Sequence, residues 1–209
     1  GFTCTGDHTG TYNDLGQCPT CGYQVMYAKT TVGETVTYYP TLEEAIAAMK
    51  TSRDVANTVT LLADAAAGDC LKMNGGISVS MTLDLGGHTI TAKGDLWGYN
   101  AAVYVDLNSV VIRNGTVVTT APQNQWSEGP YGIRTNSGTQ SIVLENLTVE
   151  RGVEAAASKN FTVLSGTYGP LYVWGDCGEH THLMGGTFKG GLNTIKNDDN
   201  GITNIYGGK

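Results

Sequence analysis

The sequence predicts an all-β fold of stacked coils, a parallel β-helix, from a threonine column, a second column of alternating segments, and the overall composition. The threonine column is Thr89, Thr116, Thr148, Thr167 and Thr187, at spacings of 27, 32, 19 and 20 residues. Four residues before each threonine stands a large aliphatic residue: Leu85, Ile112, Leu144, Val163 and Leu183, then Ile205 if Lys209 takes the next threonine slot. One residue after it comes Ile90, Val117, Val149, Tyr168 or Phe188, and two before it Gly87, Asn114, Asn146, Ser165 or Gly185. Columns that hold while the intervening lengths vary mark a solenoid, in which each coil sets the same inward side chain over its neighbour and loops grow outward.

The second column consists of Ala102 to Val105, Gly132 to Thr135, Gly152 to Ala155, Pro170 to Val173 and Gly191 to Thr194, each alternating inward and outward residues. Its outward positions are Tyr104, Arg134, Glu154, Tyr172 and Asn193. Strands this short, returning about every 20 residues, favour a β-helix over leucine-rich repeats, which would carry a helical segment in each turn. An antiparallel β-sandwich is the competing arrangement. Asn114, Asn146 and Ser165 are expected to stack at one corner.

Composition agrees with many strands joined by tight turns. Among 209 residues there are 29 Gly and 5 Pro, and charged residues make 15%, which is turn-rich without being collagen-like or disordered. The length allows one main core plus an appendage. A net charge of −7 disfavours a nucleic-acid groove or docking on an anionic bilayer. No apolar run approaches the roughly 20 residues that span a membrane, and nothing before Cys4 looks like a signal peptide.

Texture divides the chain into residues 1–22, polar and holding three of the five cysteines, residues 23–56, mixed, and residues 57–209, the repeating β pattern. In the middle part, Tyr27 to Lys29 and Thr35 to Tyr39 flank a Val32-Gly33-Glu34 turn and predict a hairpin. A helix follows over Leu42 to Met49, with Thr41 and Glu44 at capping-box spacing and Leu42, Ile46 and Met49 on one apolar face.

The run Thr58-Val59-Thr60-Leu61-Leu62-Ala63-Asp64, followed by Met81 to Ile90 (MTLDLGGHTI), resembles the opening coils of pectate-lyase-like β-helix regions. Those regions occur in large surface proteins of Gram-positive, often gut-dwelling, bacteria. Tyr39 to Ile46 (YPTLEEAI) is similar to the short helix that precedes such coils. The resemblance covers nearly the whole chain and implies a right-handed parallel β-helix, a secreted or cell-surface location, and a helix that caps the N-terminal end. Ile205 to Lys209 stops partway through a coil, so further parts of the same polypeptide are expected to follow. Activity does not follow from the resemblance, because the fold hosts lyases, hydrolases, adhesins and spacers.

Cys4, His8, Cys18 and Cys21 form C-x3-H-x9-C-x2-C. A Cys-x-x-Cys with flanking glycine lets two thiolates reach one ion, and Cys4 with His8 completes a tetrahedron suited to structural Zn2+. So small a segment has too few apolar residues to fold by burial alone. A disulfide among the three cysteines and a disordered tail are the alternatives. Similar short Cys/His motifs preface repeats in the surface proteins named above. Cys70 and Cys177 take no assigned role.

Lyases of this fold need clustered acids for Ca2+ beside a basic residue, and hydrolases need paired carboxylates. The outward row offers one acid and one Arg. Asp176, Glu179, His180 and His182 share a loop, with a surface His pair as the simpler reading, and Asp198-Asp199 reads as turn chemistry. Aromatic residues are more suggestive. Trp97, Trp126 and Trp174, with Tyr99, Tyr104, Tyr131 and Tyr172, fall at one corner, where insertions 93–100 and 119–129 should pack side by side. With Arg134 and Glu154 they would form a ledge suited to a sugar or a protein partner, unless they make a satellite core under long loops. The expectation is a non-catalytic module that binds a glycan or host surface protein or acts as a spacer. The alternative is a polysaccharide lyase or glycoside hydrolase acting on uronic-acid-containing polysaccharide.

Overall fold

The structure, a computed structural model, describes residues 12–94, 98–123, 129–136, 139–156, 159–174, 180–190, 193–198 and 202–209. Within them the chain is mostly β, with one helix and one continuous network of strands. The hairpin comprises β1 (Ala28–Val32) and β2 (Thr35–Tyr39), turning at Gly33 and Glu34. The helix α1 (Leu42–Ala48) starts at Thr41, whose hydroxyl accepts from the Glu44 amide at 3.2 Å and donates to the Glu44 carboxylate at 3.0 Å. In the full capping box Glu44 would reach back to the Thr41 amide; here it meets the hydroxyl instead. Leu42, Ala45, Ile46 and Met49 are buried against the strands.

The remaining strands are β3 (Arg53–Leu61), β4 (Ala65–Ala66), β5 (Leu71–Asp84), β6 (Thr89–Ala92), β7 (Ala101–Thr119), β8 (Tyr131–Thr135), β9 (Ser141–Val149), β10 (Val153–Ala156) and β11 (Asn160–Val163). They continue as β12 (Gly166–Tyr168), β13 (Leu171–Trp174), β14 (His180–Leu183), β15 (Thr187–Phe188), β16 (Ile195–Asn197) and β17 (Thr203–Ile205). Three parallel ladders organise them. One aligns Val59, Leu83, Ile112, Leu144, Val163, Leu183 and Ile205. A second aligns Thr89, Thr116, Thr148, Thr167 and Thr187, with Ile90, Val117, Val149, Tyr168 and Phe188 beside them. The third aligns Leu71, Val103, Ile133, Val153, Leu171 and Ile195. The chain visits the ladders in the same cyclic order throughout, and their inward residues form one hydrophobic cluster.

At the N-terminal end β1 pairs antiparallel with β3, which leaves β2 outermost among the described strands. The hairpin thus occupies a strand edge that would otherwise invite another chain, while α1 adds its apolar face to the core.

Three positions depart from the sequence alignment. Leu83, not Leu85, is the ladder partner of Ile112. The turn before Thr89 is two residues longer than the one before Thr116, with Gly86 and Gly87 at positive φ, so counting back four residues lands in the turn. Leu85 is nevertheless fully buried, over Gly115, where an added Cβ would collide with the Leu85 side chain and the His88 carbonyl. The fifth member of the second column is Ile195 to Asn197 rather than Gly191 to Thr194, so Lys196, not Asn193, neighbours Tyr172. Ile205 keeps its register with Leu183 but is 64% exposed, because no described strand lies on its other side. Lys209 does take the slot beside Thr187: its amide donates to the Gly186 carbonyl and its carbonyl accepts from the Phe188 amide, each at 3.0 Å.

The corner stack forms with an acid at its base. The Asn146 amide side chain donates to Asn114 Oδ1 at 3.2 Å, the Asn114 side chain donates to the Asp84 carboxylate at 3.2 Å, and Ser165 Oγ accepts from the Asn146 backbone amide at 2.9 Å. Asn114 and Asn146 adopt φ of 60° and 50°, a left-handed turn that asparagine tolerates better than most residues.

Candidate functional site

In the third ladder successive side chains point to opposite faces, so the residues that follow its buried aliphatic members share the outer face. They are Lys72, Tyr104, Arg134, Glu154, Tyr172 and Lys196, each in register with the next. Of the residues expected in a ledge, Tyr104, Arg134, Glu154 and Tyr172 are therefore direct neighbours. Tyr99 joins them: its ring lies 4.3 Å from that of Tyr104 and its carbonyl accepts from Arg134 Nη1 at 3.3 Å. Trp174 lies two residues beyond Tyr172 on the same face, in register with Ala156 and 46% exposed. Trp97 and Trp126 lie outside the described residues.

At the centre of the row Arg134 Nε and Glu154 Oε2 approach to 2.6 Å, although neither atom is aligned for a hydrogen bond. The side chains are 24% and 13% exposed. Burial pushes the Glu154 carboxyl above its ordinary range, and the Arg134 guanidinium pulls it partly back. Burial also raises the Tyr104 phenol, aided by the negative charge of Asp106 and opposed by Arg134. Aromatic pairs flank the ion pair: Tyr99 with Tyr104 on one side, and on the other Tyr131 with Tyr172, whose centroids are 5.6 Å apart.

Lys72 and Lys196 extend the row at both ends and were missed in the sequence alignment. Lys72 Nζ stands 4.5 Å over the Tyr99 ring; Lys196 Nζ stands 5.8 Å from the Tyr172 centroid and 2.6 Å from an Asp198 carboxylate oxygen. The alternation in Leu71-Lys72-Met73, with Leu71 and Met73 buried, is the signal that could have found the first.

Compared with protein families, curated proteins and solved structures, the chain matches none.

The Cys-x-x-Cys turn is the described half of the expected metal site. The Gly22 amide donates to the Cys18 carbonyl and the Cys18 amide to the Tyr23 carbonyl, each at 2.8 Å, and Gln17 bridges Gln24 across the turn. Gly22 sits at φ 71°, a conformation that permits the turn to close directly after Cys21. The turn is tied to the hairpin: the Val25 and Met26 amides donate to the Gly16 carbonyl at 2.9 Å, and Tyr12 packs 5.0 Å from Tyr38. Cys4 and His8 lie outside the described residues. Among the described residues no group of three or more His, Cys, Asp or Glu could hold an ion.

Of the other candidates, Asp176, Cys177, Glu179 and Asp199 lie outside the described residues. His182 stacks on Tyr206 at 5.9 Å, and Asp198 pairs with Lys196.

Proposed function

We propose that the three ladders are the faces of one right-handed parallel β-helix, and that the chain serves as a non-catalytic binding module of a secreted or cell-surface protein. Its ledge would take a glycan or a host surface protein. The unvarying order in which the chain visits the ladders supports the winding, and strand–crossover–parallel-strand connections are overwhelmingly right-handed. The observation that carries the binding reading is Trp174, an indole half open to solvent beside a continuous row of Tyr104, Arg134, Glu154 and Tyr172. An exposed aromatic face beside a few polar groups suits a pyranose ring or a partner side chain. Screening the parent chain on a glycan array and in host-protein pull-downs tests it. Trp174→Ala should weaken the interaction by about 0.5–1.5 kcal/mol beyond the loss of buried area. Arg134→Ala should add a salt-sensitive loss if the ligand is acidic. Tryptophan fluorescence that no quencher reaches would leave a spacer role instead.

In the same reading Cys4, His8, Cys18 and Cys21 hold one structural Zn2+. The tight turn around Cys18 and Cys21 fits that donor set, and four protein ligands leave no position for a reacting water, so the ion would crosslink the segment.

A second reading, a lyase or hydrolase acting on uronic-acid-containing polysaccharide, draws on the raised Glu154 carboxyl, the property a general acid needs. Against it, the row of six offers one carboxylate, already facing Arg134. Assaying uronate polysaccharides with and without Ca2+ separates the two: product release that Glu154→Gln abolishes would establish the enzyme.

A further inference from the structure

Where the outward row ends at Lys72, a cleft of about 380 Å3 opens between α1 and β5. The strand is irregular there: its register against β7 breaks between Asn74 and Gly76 and again between Gly76 and Ser80. Bulges of this kind bend a strand and re-aim its side chains. Ile46, Val79, Met81 and Leu107, all buried, give the cleft an apolar floor. Its rim carries Lys50, Lys72 and Asn74, with Glu43 the sole acid among the described lining residues. Two cations at one cleft stand out in a chain of net charge −7. Among the described residues Lys50 has no ion-pair partner, since the described ion pairs are made by other cations. Among the described residues Lys72 meets the Tyr99 ring and no carboxylate, and attraction to a ring leaves its ammonium able to meet an anion.

We propose that this cleft binds a small amphipathic anion, a monocarboxylate whose apolar body lies on Ile46, Val79, Met81 and Leu107 and whose charge meets Lys50 and Lys72. The volume lies at the lower end of small-molecule sites, which are mostly apolar with a few polar groups that fix orientation. A single carboxylate matches one or two ammonium groups and an amide, whereas an uncharged ligand would leave the lysine rim unused.

The full chain is titrated with the fluorescent probe 8-anilinonaphthalene-1-sulfonate, which is then displaced by decanoate below its micelle concentration and, separately, by decanol. One saturable probe site per chain is expected, with decanoate displacing at about tenfold lower concentration than decanol, the effect of one charge-assisted contact. Lys50→Glu should remove that preference while leaving decanol unchanged. Ala47→Trp, at an exposed position of α1 that lines the cleft, should abolish displaceable probe binding with an unchanged circular dichroism melt. Trp174→Ala, on the ledge, should change nothing, which keeps this site distinct from that one. Absence of a saturable site, equal displacement by decanoate and decanol, or unaltered binding in Ala47→Trp would overturn the proposal.

Discussion

At the scale of single residues, the least ordinary pair is Arg134 and Glu154. A carboxyl raised by burial contributes most to stability when it is protonated, so its contribution is lost as pH rises from the ordinary carboxyl range through its own raised value. Glu154 should therefore titrate above an ordinary glutamate when followed by carbon-13 NMR. Arg134→Met should raise it further, because the guanidinium is the influence that lowers it. A Glu154 value that falls or stays put in that variant would mean the ion pair is not felt in solution. The alternation of the second column made Arg134 and Glu154 legible as outward residues. Their place on successive coils followed from the same column, but their 2.6 Å approach and its burial did not, because those depend on how the surrounding loops enclose the two side chains.

At the scale of elements, the ladders separate buried from end positions that look alike in sequence. Leu144 is fully buried, between Ile112 and Val163 in its ladder, whereas Ile205 occupies the same column but is 64% exposed. Leu144→Ala should cost about 2–5 kcal/mol by leaving a cavity in a filled core. Ile205→Ala should stay within about 0.5 kcal/mol, as surface changes usually do. Urea denaturation of both variants reads the contrast, and equal losses would mean that Ile205 is covered in solution. The displaced Leu85 belongs to the same scale. A spacing rule works where turns are equal, and the Gly86-Gly87 turn broke it without disturbing Leu85's burial over Gly115.

At the scale of the molecule, the ladders and the described N-terminal turn differ in how much apolar surface they bury. The ladders share one hydrophobic cluster, while the described residues before the hairpin bury little beyond Cys18. If Zn2+ is held by Cys4, His8, Cys18 and Cys21, metal analysis should find about one ion per chain, the stoichiometry that a four-ligand site implies. Chelation should disorder the segment while the main thermal transition stays in place. A zinc-free preparation with unchanged amide resonances for Cys18 to Gly22, or a mass showing a disulfide among Cys4, Cys18 and Cys21, would exclude the metal.

The sequence by itself determined the β character, the hairpin, the helix and its buried face, the threonine ladder and the asparagine corner. Each of these rests on local periodicity or on turn chemistry, which neighbouring residues dictate. Only the tertiary structure decided that Leu83 aligns with Ile112, that Lys72 and Lys196 complete the outward row, and that β1 covers the edge of β3. It also decided that Glu154 lies against Arg134 in a setting that raises its carboxyl. Those outcomes depend on how far each loop carries the chain before it rejoins the ladder, and on which charges burial brings together. Neither quantity is encoded in any one stretch of residues.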